Sequence, residues 1–173
     1  YGYEFTGVDE ETGEPNFADI DGDGAITDND KTEIGKGIAD LNYGITLTAG
    51  WKNFDLVVFG TGSHGNDIYM GLNRVDYNLN QLTHFTENRW TTNNRNGSTP
   101  RAYATDFTKF MTSSGSVFDG SFFKIKQIQL GYSIPRILLS KISVDNLRIY
   151  GSLEDYFTFS SYPGFDPEVT GVG

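Results

Sequence analysis

The residues best spaced for chemistry lie in one acidic run, Asp19-Ile20-Asp21-Gly22-Asp23-Gly24-Ala25-Ile26-Thr27-Asp28-Asn29-Asp30. Carboxylates at loop positions one, three and five, glycine at six, an apolar residue at eight and an acid at twelve follow the EF-hand pattern of calcium ligation. Ca²⁺ gathers several oxygens around one centre. The expected ligands are therefore Asp19, Asp21, Asp23, the Ala25 carbonyl and Asp30, with Gly24 making the sharp turn. Asp30 stands where glutamate is usual, and its shorter arm bears on bidentate coordination. The bland alternative is a solvated acidic loop, but crowding these carboxylates without a cation is costly. No amphipathic helix pair flanks the run, so a structural ion bracing a surface loop is expected rather than a sensor.

The other chemical candidates are weaker. Gly60-Thr61-Gly62-Ser63-His64-Gly65 satisfies GxGxxG after an apolar strand, yet a dinucleotide site also needs a parallel βαβ unit, and the preceding strand alternates as in an antiparallel hairpin. A glycine-rich loop exit fits better. His64 and His84 lie in loop-like sequence without a nucleophile motif or HExxH, and nothing marks Glu10-Glu11 or Glu154-Asp155 as buried acid-base pairs. With no cysteine, thiolate chemistry and Cys-based metal sites are excluded. A formal charge of -10 supplies no counterion-release term for a nucleic-acid partner. No enzymatic activity is expected.

The elements that must position these residues are strands. The chain of 173 residues has 13 Phe, 10 Tyr and 21 Gly, with apolar residues in short alternating bursts. From Leu41 to Trp51 every second residue is apolar (Leu41, Tyr43, Ile45, Leu47, Ala49, Trp51), and a turn at Lys52-Asn53 leads into Phe54, Leu56 and Val58, forming a hairpin. Ser121 to Ser133 reads as a third strand, and Leu147 to Ser160 as a fourth. In the fourth, Leu147, Ile149, Leu153, Phe157 and Phe159 oppose Arg148, Tyr150, Ser152, Glu154, Tyr156 and Thr158. Residues 1–18 read as an exposed acidic loop with no core. The polar excursion between the hairpins exceeds the ~12–15 residues at which structureless loops become uncommon, so local helices are expected there. Asn66-Asp67 would cap one through Ile68, Tyr69, Leu72 and Val75, and Leu79, Leu82 and Phe85 would form another. One helical turn fits between Ile134 and Asn146.

No stretch reaches the ~18 consecutive apolar residues of a membrane helix, and Tyr1-Gly2-Tyr3-Glu4 is no signal peptide. Alternating strands joined by short turns and long loops fit the wall of an outer-membrane β-barrel, and the aromatics Trp51 and Phe54 at a strand end suit a membrane-interface girdle. Four strands cannot close, since the smallest such barrels have about eight. The expectation is an all-β fragment of a larger barrel: an extracellular loop over residues 1–40, a wall hairpin over 41–61, a long extracellular loop over 62–119, a second wall hairpin over 120–160, and the start of a further loop over 161–173.

The ordered set of motifs resembles the C-terminal part of SusC/RagA-family TonB-dependent transporters. The resemblance is carried by the DGDG loop, Asn42-Tyr43-Gly44, Trp51-Lys52-Asn53-Phe54-Asp55-Leu56, Gly65-Asn66-Asp67-Ile68-Tyr69, Arg89-Trp90, Pro100-Arg101-Ala102, residues 123–135, Leu147-Arg148-Ile149-Tyr150, and Tyr162-Pro163-Gly164-Phe165-Asp166-Pro167-Glu168-Val169. It implies a plugged outer-membrane barrel of Bacteroidetes that imports glycans or peptides, driven by TonB acting on parts absent here, with a SusD-like surface lipoprotein as lid. It also implies that Arg148, Tyr150 and Tyr156 face the lumen, where packing against the plug is an alternative to substrate contact. Glu154-Asp155 departs from the Gln-Asn usual in the family, and the terminal strand expected after Val169 is missing. The rival reading is a secreted calcium-dependent adhesion module, which would bury its apolar strand faces in a sandwich.

Overall fold

A computed structural model of the chain describes residues 1–71, 82–102, 104–140 and 144–168. In chain order its strands are β1 (Gly2–Tyr3), β2 (Phe5–Val8), β3 (Pro15–Phe17), β4 (Lys31–Thr32), β5 (Leu41–Trp51), β6 (Phe54–His64), β7 (Asp67–Tyr69), β8 (Val117–Asp119), β9 (Phe122–Ser133) and β10 (Arg148–Ser160). Short helices are α1 (Thr83–Glu87), α2 (Phe107–Met111) and α3 (Arg136–Leu139). None is long and apolar enough to cross a membrane. The chain divides into a loop unit (Tyr1–Ala39, Gly65–Gly120, Tyr162–Gly173) and a wall unit (Asp40–His64, Ser121–Ser161).

The wall unit is one antiparallel sheet in the order β10-β9-β6-β5. Period-two alternation gives it two chemically different faces. One carries Ile45, Leu47 and Ala49 of β5, Leu56 and Val58 of β6, Ile128 and Leu130 of β9, and Leu153 of β10, aligned by register. The other carries Thr46 and Thr48, Asp55, Gln127 and Gln129, Arg148, Ser152 and Glu154, with Val57 and Phe59 as apolar members. Both edge strands, β5 and β10, are exposed along their whole length.

Two features of this sheet depart from the plain alternation. β6 runs on to His64, so Gly60, Gly62 and His64 are strand residues and the GxGxxG spacing forms no strand-turn-helix cradle. In β9 the phase slips at Lys126: Phe59 pairs with Gln127 and Gly60 with Ile125, while on the other side Glu154 pairs with Gln127 and Phe157 with Ile125. Asp155 and Tyr156 thus oppose a single residue, forming a β-bulge, and Asp155 takes a left-handed backbone (φ 50°) that aspartate tolerates.

The loop unit has its own core, assembled from segments far apart in sequence. Met70, Phe85 and Phe110 are buried, with Phe5, Phe17, Leu82, Phe107, Phe118 and Tyr162 packed around them. Phe110 meets Phe5 edge-on at 5.1 Å between centroids and Phe85 at 6.5 Å. Each ring that is fully buried contributes roughly 1.5–3 kcal/mol by removing apolar surface from water, which is how loops with little regular structure hold a shape. The expectation that residues 1–18 lack a core is overturned: Tyr3 is buried and Phe5 and Phe17 join this cluster. Asp67–Tyr69, expected to start a helix, is instead a strand paired with β8, with Ile68 buried opposite Phe118. Leu72, Val75 and Leu79 lie outside the described residues. The second expected helix appears as α1, and the helical turn expected between the last two strands is α3.

Candidate calcium loop and polar sheet face

In the acidic loop the first three expected ligands converge. Asp19, Asp21 and Asp23 each offer a carboxylate oxygen within 4.8 Å of the others. Oxygens bound to one Ca²⁺ at ~2.3–2.6 Å can lie no more than about 5 Å apart, so this spacing fits a shared ion. Backbone amides aim the carboxylates. Gly22 N–H donates to Asp19 Oδ1 (2.8 Å) and Gly24 N–H to Asp19 Oδ2 (2.9 Å), Asp23 N–H donates to Asp21 (3.2 Å), and Ala25 N–H donates to Asp23 (2.8 Å). These bonds need the chain to double back, which Gly22 (φ 76°) and Gly24 (φ 85°) allow because they carry no Cβ.

Asp30 is placed differently. It is buried, and its carboxylate accepts N–H groups from Thr27 (2.7 Å), Ile20 (2.8 Å) and Asp21 (3.4 Å), pinning the end of the loop to its start. The Thr27 amide, and then those of Ile20 and Asp21, hold the Asp30 carboxyl below the usual carboxylate range in spite of its burial. Thr27 in turn accepts from Asn29 N–H in a reciprocal capping box over the 3₁₀ turn Asp28–Asp30. That turn is tied into the loop unit, since Tyr3 Oη donates to Asp28 (2.9 Å), Lys31 pairs with Asp28 (3.0 Å), and Lys109 Nζ donates to the Ile26 carbonyl (3.3 Å).

A second cluster in the loop unit has no local sequence signal. Glu14 receives the Arg101 guanidinium (Nε, 3.0 Å) and the Thr105 N–H (2.8 Å). Burial opposes its ionisation, but Arg101 and Thr105 outweigh burial and hold its carboxyl below the usual range. The indole of Trp90 donates to the Glu10 carbonyl (3.0 Å) alongside. These 80- and 87-residue separations leave no pattern to read.

On the polar face of the wall, Arg148 bonds Asp55 through both Nε (3.0 Å) and Nη2, reaching across Gly131. A Cβ on Gly131 would fall 2.5 Å from the Asp55 carboxylate, so this position stays bare for the ion pair to cross. Arg148 also lies over the Tyr150 ring at 5.2 Å. Tyr156 sits in the bulge, exposed, beside Phe157 at 4.8 Å. At that bulge Lys126 Nζ is 2.9 Å and buried Lys124 Nζ 3.9 Å from Asp155, a grouping hinted at only by the adjacent polar pair Lys126-Gln127 that interrupts the alternation. His64 continues β6 and accepts Asp40 N–H on its carbonyl, and His84 meets Phe85 and Phe118 edge-on.

No protein-family model matches the chain. TonB-dependent receptor P3 of Formosa agariphila is 33% identical over 190 residues, covering 97% of this chain and 18% of that protein. TonB-dependent receptor SusC of Bacteroides thetaiotaomicron is 28% identical over 174 residues, covering 96% of this chain and 17% of that protein. The RagAB peptide importer in its 'closed-closed' state shares the fold, with a TM-score of 0.75 at 22% identity over 96% of this chain and 20% of that one. The chain thus spans less than a fifth of the length of the curated relatives it matches.

Proposed function

Along nearly its whole length the chain matches one segment of SusC/RagA-family TonB-dependent transporters, and we propose that it builds wall strands and extracellular loops of such a transporter in a bacterial outer membrane. The observation that carries this reading is a pair of aromatic-rich rows, three rings in each, bounding the apolar sheet face. At the short-turn end the row runs Trp51, Phe54, Tyr132, Ile149 across all four strands; at the other end it runs Tyr43, Gly62, Phe123, Phe159. Tyr43 and Trp51 are eight residues apart, which is ~27 Å of strand at ~3.4 Å per residue, or ~20 Å along a barrel axis at ~40° tilt. With ring lengths added, that approaches the ~25 Å apolar band of outer-membrane barrels. Rings of this kind are stable at headgroup depth.

The exposed edges fit the same reading. β5 and β10 stand at the two edges of the sheet, and because a sheet edge left open in hydrocarbon costs several kcal/mol per backbone group, they call for neighbouring strands of a parent barrel. A secreted sandwich would cover the apolar face with a second sheet, whereas all four long strands share one sheet whose Leu47 is 64% exposed. In this assignment the loop unit is extracellular, the polar face with Arg148 and Tyr150 lines the lumen, and a SusD-like lipoprotein covers the loops. The imported nutrient is a peptide or an oligosaccharide, and TonB acts on other parts of the parent protein. In cells making the full-length protein, it is expected to stay with membranes through alkaline carbonate washing and to leave only with detergent; release by carbonate alone would sink the reading.

The acidic loop is read as a structural Ca²⁺ site whose core ligands are Asp19, Asp21 and Asp23, with the Ala25 carbonyl completing the set and Asp30 bracing the loop amides. Bound calcium would offset the mutual repulsion of three exposed carboxylates, stabilising the loop by about 2.7 kcal/mol at a hundredfold excess over Kd. Calorimetric titration of the detergent-solubilised full-length protein should give a calcium isotherm that disappears in the Asp21→Asn/Asp23→Asn double variant. Equal heats from parent and variant would assign the binding elsewhere.

A further inference from the structure

The turn joining β9 to β10 carries an apolar surface that a barrel wall does not by itself require. Ile137 is 81% exposed and Leu138 57%, while Leu139 of the same helical turn is 2% exposed. α3 therefore spends one aliphatic side chain on packing and presents the two before it outward. Val144, Leu147 and Ile149 are exposed as well, and carry the apolar surface back to the sheet. The ladder extends to that point, because Ile134 N–H donates to the Leu147 carbonyl (2.9 Å). Leu147 thus keeps step with Ile149, a member of the short-turn aromatic row.

Depth and charge say what covers this surface. α3 starts four residues beyond Tyr132 of that row, at most ~13 Å along the strand and ~10 Å along the axis of a barrel tilted by ~40°. The interfacial layer on each side of a bilayer is ~5–8 Å deep and the girdle sits within it, so a backbone at most ~10 Å further out lies at the outer edge of the layer or just past it, within reach of long side chains that extend back toward the girdle. Arg136 of α3 is exposed, and the neighbouring hairpin turn supplies Lys52 over the Trp51 ring at 4.5 Å. Cations beside apolar side chains match a layer of phosphates over acyl chains.

Building on the wall assignment, we infer that this turn is a lipid anchor: Ile137 and Leu138 insert among the phospholipid headgroups at the short-turn end of the barrel, with Arg136 at the phosphates. These 173 residues contain no cysteine, so in a full-length protein with any cysteine outside them replaced by serine, single nitroxide labels are placed by Ile137→Cys, Leu130→Cys and Asp145→Cys. The labelled proteins are reconstituted in phosphatidylethanolamine/phosphatidylglycerol vesicles, and collision rates with oxygen and with a water-soluble nickel chelate are read by power saturation. The anchor predicts an oxygen-to-nickel ratio at 137 several-fold above that at 145 and approaching that at 130. A nickel-dominated label at 137 beside an oxygen-dominated one at 130 overturns the anchor and leaves the wall intact. Shielding of 137 from both reagents means that protein covers the turn, and also overturns it. A nickel-dominated label at 130 removes the wall, and the anchor with it.

Discussion

Replacing Trp90 by alanine is expected to open the loop unit between its N-terminal hairpin and the segment that follows α1, at a cost of about 3–5 kcal/mol, the range for removing a large aromatic from a packed site. Trp90 is 9% exposed and is held at three points, two of them through its indole and one through its backbone amide. Its Nε1 donates to the Glu10 carbonyl, its own N–H donates to the Thr99 carbonyl (2.8 Å), and its six-membered ring lies where a Cβ on Gly13 would come within 2.5 Å. Gly13 has φ 74°, so this close approach and the hairpin's backbone both exclude a side chain there. The neighbouring amides report the loss directly: Thr99 N–H donates to Asn88 (3.0 Å) and Arg101 N–H to Gly13 (2.9 Å). Their hydrogen exchange should accelerate by two to three orders of magnitude, at ~1.4 kcal/mol per tenfold, while amides of β6 keep their protection. Trp90→Phe retains much of the ring packing and loses the Glu10 bond, so it should fall between parent and alanine variant. Unchanged exchange at Thr99 and Arg101 in Trp90→Ala would mean that the indole does not hold these segments together.

The same residues explain which parts of the molecule were legible in the sequence. The wall strands were, because each is long enough for alternation to repeat and one face is uniformly apolar; Leu41–Trp51 follows the pattern residue by residue. The bulge was half-legible, since Lys126-Gln127 breaks the alternation, but only pairing to both neighbours reveals that β10 contributes an extra residue there too. The loop unit was not. Its core joins Phe5, Phe17, Met70, Phe85 and Phe110, single apolar residues with no period between them, and periodicity is the only local signal of burial. Asp67–Tyr69 shows the ambiguity of three-residue segments: its spacing to Leu72 and Val75 is helical, whereas the observed partner is β8, about fifty residues downstream. The calcium spacing is a local property, so the convergence of Asp19, Asp21 and Asp23 could be anticipated. The grip of Asp30 on three backbone amides depends on how the loop closes, which the spacing does not specify.

Gly62→Val is expected to destabilise the wall by about 1–3 kcal/mol, as overpacking does in a filled site, although strand propensity alone argues for the opposite sign. A β-branched residue in a central strand normally gains over glycine, which loses more conformational freedom on folding. Here the space is taken. The Tyr43 ring from β5 lies against Gly62 on one side, and across it the Phe123 ring from β9 is nearly parallel to Tyr43, 2° between planes and 6.1 Å between centroids. The two rings roof the bare backbone of β6, an aromatic cover for glycine that pins strand register. A Cβ at position 62 would meet the Tyr43 ring and would lie 2.7 Å from the Phe122 carbonyl. The ring can swing away, but the carbonyl belongs to β9 and moves only with its strand. Tyr43→Ala should therefore relieve part of the cost and never all of it, giving a favourable coupling in a double-mutant cycle on top of a residual penalty. Urea midpoints of the full-length protein in liposomes would measure both quantities. A Gly62→Val protein as stable as its parent would mean that the ring pair does not close over β6, and the upper aromatic row would lose its rigid centre.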